Sequence, residues 1–118
     1  MSEYRDLVDA VREFSEERGW TPVQTPKNLA MAICGEAGEL AAELQWVESS
    51  ESVDLLAADP ELRRRVADEM ADVLIYLTRM ESVTGIDLVA AAEAKLARNR
   101  ERFPVGAPYR LRSDRHSS

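Results

Sequence analysis

The sequence predicts an all-α fold: an antiparallel helical bundle of four main helices, completed by oligomerisation. Three observations predict it. Apolar residues recur at helical spacing through four segments, and no run alternates with a period of two over a useful length. A capping residue precedes each segment, and three of the four end at a glycine or a proline. The connections are short, which favours antiparallel neighbours. Four modest helices from 118 residues leave apolar surface uncovered, so self-association is expected.

The first helix follows Ser2, an N-cap, and carries Tyr4, Leu7, Val8, Val11 and Phe14 on its inner face before ending near Gly19. Thr25-Pro26 announces the second, a cap followed by proline in the first turn, and its stripe continues to about Val47. The connection "ESSESVDLLAAD" has room for one short helical turn around Val53–Ala57. Asp59-Pro60-Glu61 repeats the cap-and-proline signal, and the third helix runs through Leu62, Val66, Met70, Val73, Leu77 and Met80 to Gly85. Asp87 caps the fourth, whose inner side takes Leu88, Ala91, Ala92 and Leu96, with Phe103 near its end and Pro104 as its stop. Residues 1–103 thus form the helical domain, and 104–118 a loosely ordered tail.

Hydrophobic residues at 45% and charged ones at 31% fit a soluble helical protein, and no apolar run approaches the ~20 residues that span a bilayer. The acidic, amphipathic start "MSEYRDLVDA" does not read as a signal peptide. A net charge of −7 weighs against nucleic acid as a partner, and any polyanionic substrate would need a local positive agent. Cys34 is the only cysteine, which excludes a disulfide framework and fits a reducing cytoplasm; inside its apolar run it reads as a plain buried thiol. The expectation is a cytoplasmic protein with neither a membrane nor a nucleic-acid partner.

Two apolar stripes contain carboxylates. Glu36 stands where the second helix should present a leucine, with Glu39 one turn on, and "VADEMADVLIYL" places Glu69 and Asp72 in the same way on the third. Residues three apart lie about 60° apart on one face. If the two helices pack through these stripes, four acidic groups converge, an arrangement that is costly unless something offsets it. Arginine or lysine partners, protonation, or divalent cations would each serve. Hard oxygen donors suit Mg²⁺, with Mn²⁺ as a substitute. A di-iron centre is disfavoured because the only histidine, His116, is in the tail.

Carboxylate-bound Mg²⁺ suggests phosphoryl chemistry. Lys95 and Asn99, one turn apart on the fourth helix, are candidates to hold phosphate, though Lys95 has an equal claim to be snorkelling from a core edge. Trp20 and Trp46 bracket the second helix and could sandwich a nucleobase, although core or interface packing is the ordinary explanation and the favoured one on pattern alone. Tyr76 sits one turn beyond Asp72, on the same face.

"PKNLAMAICGEAGELAAELQW", then "DEMADVLIYL", then "AKLARNRERFP" resemble, in order and spacing, the MazG-like all-α nucleoside triphosphate pyrophosphohydrolases, in particular the dCTP pyrophosphatase branch. The likeness spans about residues 14 to 104. It implies a Mg²⁺-dependent hydrolase that converts a nucleoside triphosphate to the monophosphate and pyrophosphate, in nucleotide-pool housekeeping. It also implies a homotetramer, a dimer of dimers, with sites formed between chains. On the matching positions Glu36, Glu39, Glu69 and Asp72 would be catalytic metal ligands, and Trp20, Trp46, Tyr76, Lys95 and Asn99 would bind substrate. The chain departs from the branch at Val11, where relatives carry a substrate-contacting histidine, and at Gln24, often a histidine. Those departures bear on base preference. The alternatives are a dUTP- or phosphoribosyl-ATP-directed enzyme of the same superfamily and a non-catalytic helical interaction module.

Overall fold

The helices begin and end at residues that satisfy their terminal backbone groups. In the computed structural model, which describes residues 2–106, α1 (Glu3–Glu17) starts at Ser2, whose hydroxyl accepts from the Arg5 N–H at 3.1 Å. A 3-10 turn, Thr21–Val23, leads to α2 (Pro26–Leu44), where the Thr25 hydroxyl accepts from the Asn28 N–H at 3.2 Å. The connection holds a second 3-10 turn and α3 (Ser52–Ala58), the short helix expected there. Asp59 opens α4 (Pro60–Thr84) by accepting from two backbone N–H groups, those of Glu61 and Leu62, each at 3.1 Å. Gly85 ends α4 in the left-handed conformation, φ +73°, which a Cβ would make costly. Among the described residues there is no strand, and no helix is long and apolar enough to cross a membrane.

The chain divides into two compact units at Ile86 and Asp87. In the first, α2 lies along α4 and α1 packs on α4 as well. Side-chain pairs give the direction of α2 against α4. Glu43 meets Arg65 at 2.9 Å, Glu36 lies among Glu69 and Asp72, and Gln24 meets Arg79 at 2.8 Å, so the two helices run antiparallel. The apolar centre is small: Val8 and Val11 of α1, Leu29 of α2, Leu62 and Val66 of α4. Ser15 and Thr78 are buried beside it. Buried Glu81 ties α1 to α4 by accepting from the Tyr4 hydroxyl at 2.9 Å and pairing with Arg5 at 2.8 Å. The second unit consists, as described, of α5 (Leu88–Arg102), capped by Asp87, with Leu88 and Asn99 half-buried.

Several expectations about burial are corrected. Cys34 is exposed, because it follows Ile33 by 100° and so turns off the face that meets α4. Phe14 is also exposed; its ring packs edge-on against Trp20 at 5.4 Å and lies under the Arg18 guanidinium at 3.7 Å. Met70 on α4, and Ala91, Ala92 and Leu96 on α5, face solvent in the single chain. The predicted tail is described only to Gly106, and its later part, His116 included, lies outside the described residues.

Candidate active site

Glu36, Glu69 and Asp72 each bring one carboxylate oxygen to within 4.8 Å of the others, where the antiparallel faces of α2 and α4 meet. All three are half-buried, whereas Glu39 is on the solvent side. Glu36 Oε2 and Glu69 Oε2 are both shielded from solvent, and no donor other than a proton held between the acids themselves reaches either. No lysine or arginine among the described residues up to Ile86 pairs with any of the four; the nearby Arg65 pairs with Glu43 instead.

The cluster therefore holds its charge badly. Glu69 is pushed up to about 7, first by sharing a proton with Glu36, then by desolvation and by the neighbouring Glu39. For Glu36 the shared proton with Glu69 acts downward. Desolvation and the charges of Glu39 and Asp72 outweigh it, so Glu36 is also raised. Of the three ways to offset the repulsion, ion pairing is absent from this unit, which leaves protons or a divalent cation. The donor set fits Mg²⁺: all are hard oxygens, two of them are shielded from solvent, and the three carboxylates each offer an oxygen within 4.8 Å of the others.

One turn away along both helices is a cavity of about 270 Å³. Ala32 on α2 and Tyr76 on α4 line it, four residues from Glu36 and Asp72 respectively. Trp20, Val23 and Gln24 from the 3-10 turn close one side, with Asn28 and Leu29 beneath. The turn is held in place by buried Arg79, which donates to Gln24 Oε1 at 2.8 Å and to Thr21 Oγ1 at 3.1 Å. The Asn28 Nδ2 group donates to the Val23 carbonyl at 2.8 Å. An aromatic slot thus adjoins an acidic cluster.

The structure does not bring every candidate to this place. Trp46, just past α2, is 90% exposed and does not line the cavity. Lys95 and Asn99 are one turn apart on α5, in the second unit, Lys95 exposed and Asn99 half-buried. Val11, one of the two departures that the resemblance pointed to, is buried in the core. Sequence reasoning missed Arg79 and Asn28 altogether and named Gln24 only as a departure. A signal for Arg79 existed: it follows Asp72 and Tyr76 at seven and three residues, an arginine on the inner face of α4, as anomalous there as Glu36 is on α2.

No protein-family model matches the chain. It is 40% identical over 93 residues to dCTP pyrophosphatase 1 of Rattus norvegicus and 38% identical over the same length to that of Homo sapiens; each match covers 79% of this chain and 54% of the relative. The chain therefore spans about half the length of the curated relatives it matches. The crystal structure of a pyrophosphatase from Archaeoglobus fulgidus superposes with a TM-score of 0.79 at 36% identity, covering 88% of this chain and 94% of that one. With this helical fold and these likenesses, the chain belongs to the MazG-like all-α pyrophosphatase family, and 79% of it is similar in sequence to dCTP pyrophosphatase 1.

Proposed function

We propose that the protein is a Mg²⁺-dependent nucleoside triphosphate pyrophosphohydrolase that prefers dCTP, converting triphosphate and water to monophosphate and pyrophosphate. One observation carries the reading. The aromatic cavity of Trp20 and Tyr76 lies a single helical turn, about 6 Å, from the trio Glu36, Glu69 and Asp72. A base in the slot would leave its phosphates beside the acids. The likeness to dCTP pyrophosphatases supports dCTP as the substrate.

Glu36, Glu69 and Asp72 would hold the metal, with Glu39 at their open side. Bound there, Mg²⁺ supplies the positive charge that a −7 protein lacks and makes a coordinated water more acidic. Trp20 and Tyr76 take the base face-on and exclude water from it. Glu39, exposed at the rim, is the carboxylate placed to take a proton on its Oε atom from water entering from solvent. By the resemblance, Trp46, Lys95 and Asn99 would also contact substrate, and the enzyme would be a tetramer built as a dimer of dimers. The enzyme would act in the cytoplasm on the nucleotide pool, with Mn²⁺ able to replace Mg²⁺.

The test is a panel of nucleoside triphosphates with Mg²⁺, including dUTP and phosphoribosyl-ATP, scored for pyrophosphate against orthophosphate. Pyrophosphate release, fastest with dCTP, is expected. Orthophosphate as the product, or no turnover of any triphosphate, would reject the proposal.

A further inference from the structure

Gln24 is the one carboxamide of the aromatic cavity whose orientation is imposed from behind. Arg79 is 3% exposed, and its Nε–H donates to Gln24 Oε1 at 2.8 Å. A guanidinium has donors only, so the Gln24 atom that meets it must be the oxygen. A second donor of Arg79 holds Thr21 Oγ1 at 3.1 Å, at the other end of the same turn, so the guanidinium itself cannot swing. What Gln24 has left for the cavity is its Nε2 amide, a donor. Asn28 is set the opposite way. Its Nδ2 donates to the Val23 carbonyl at 2.8 Å, which leaves Oδ1, an acceptor. The cavity wall therefore carries one donor and one acceptor beside Trp20 and Tyr76.

We propose that Arg79 is a positioning residue for base selection: by fixing the Gln24 carboxamide, it makes the cavity favour a base edge with an acceptor beside a donor, as in N3 and N4 of cytosine. The inference rests on the reading of this cavity as a nucleobase site. With uracil or thymine in the same pose, the Gln24 N–H meets the ring N3–H, and Asn28 Oδ1 meets the O4 carbonyl. Both contacts then set like against like. An amide free to rotate would adapt to either base, but this one cannot turn without leaving the buried Arg79 donor unpaired. A site that hydrogen-bonds its substrate in this way rejects the mismatched analogue far more strongly than a merely apolar slot.

The decisive variant is Gln24→Glu. It keeps the volume and an oxygen for Arg79 while replacing the cavity's donor by an acceptor. The readout is the ratio of kcat/KM for dCTP to that for dUTP, which cancels any general effect of the added charge. The expected result is a fall in this ratio of at least about tenfold. Arg79→Met should lower it in the same direction, and Arg79→Lys should restore part of it, a recovery that a purely structural role would not produce. If Arg79→Met does not fold, Gln24→Glu still decides.

A second arm measures binding of dCMP and dUMP calorimetrically, without metal and without turnover. The wild type should prefer dCMP, and Gln24→Glu should lose that preference. A ratio in Gln24→Glu within about twofold of wild type, or a wild type with no preference in the binding arm, overturns the proposal. Pyrophosphate release with a preference indifferent to Gln24 would sink this inference and leave the hydrolase standing. A Gln24-dependent binding preference without hydrolysis would do the reverse.

Discussion

Glu69 holds its proton to about pH 7 because Glu36 shares it, solvent is excluded from it and Glu39 stands beside it. The sign of the consequence follows from linkage. The folded state binds this proton more tightly than the unfolded chain, whose carboxyl titrates near 4.5. Stability of the metal-free protein should therefore fall as pH rises from about 4.5 to about 7, then level off. Mg²⁺ competes with protons for the same oxygens, so its rise in Tm should be larger at pH 8 than at pH 5.5. Thermal melts in EDTA and in Mg²⁺ across that range check both halves; a Mg²⁺ shift independent of pH would contradict the coupling. Substitution separates stability from function. Glu69→Gln supplies an amide donor for the orphaned Glu36 Oε2, so the EDTA melting point at pH 8 should rise while the Mg²⁺ shift disappears. Turnover should drop at least about a hundredfold in Glu69→Gln, Glu39→Gln and Asp72→Asn, with helical circular dichroism retained. Substantial Mg²⁺-dependent activity in Glu39→Gln and Asp72→Asn would reject Glu39 as the proton acceptor and Asp72 as a ligand.

The helices depend on local chemistry at their ends and on a thin apolar seam between them. Asp59 accepts from two backbone donors at the start of α4, and Asp59→Ala should cost about 1 kcal/mol. Leu62, one turn inside and buried, should cost about 2–5 kcal/mol as Ala, because a cavity adds to the lost burial. Urea unfolding of both variants at one protein concentration checks the order; a cap variant worse than the cavity variant would refute it. The contrast shows which parts of the fold were legible in the sequence. Caps are local, so Ser2, Thr25, Asp59, Asp87 and Gly85 announce themselves within three or four residues, and the structure uses all five. Glu36, Glu69 and Asp72 were legible because each interrupts an apolar stripe. Cys34 was misread because a continuous apolar run hides which flank of the helix faces its neighbour. The Arg79–Gln24 contact joins residues 55 positions apart through an irregular turn, and no local rule gives that turn's path.

Seen as a whole, the single chain leaves much apolar area uncovered for a protein of its composition. Met31, Met70, Leu74 and Trp46 are exposed, and a groove of about 550 Å³ on α4, between Leu56, Val66, Met70 and Leu74, is open to solvent. Exposed apolar area of this kind marks an interaction surface, and a second copy of the chain would bury it. Each copy carries a net charge of −7, so association must overcome repulsion between like-charged bodies. The two forces respond oppositely to salt: screening weakens the repulsion over a Debye length that shrinks from about 20 Å at ~20 mM to about 7 Å at ~200 mM, while apolar contact is left nearly unchanged. Assembly should accordingly tighten as salt is raised. Sedimentation velocity at micromolar concentration should show a species heavier than one chain, gaining population between these two ionic strengths. Met70→Glu places a carboxylate in the buried seam and should shift the population toward the monomer. A wild-type monomer at both ionic strengths would mean the exposed face is covered by something other than this chain, and an assembly that loosens with salt would mean that charge pairs, rather than apolar burial, hold it together.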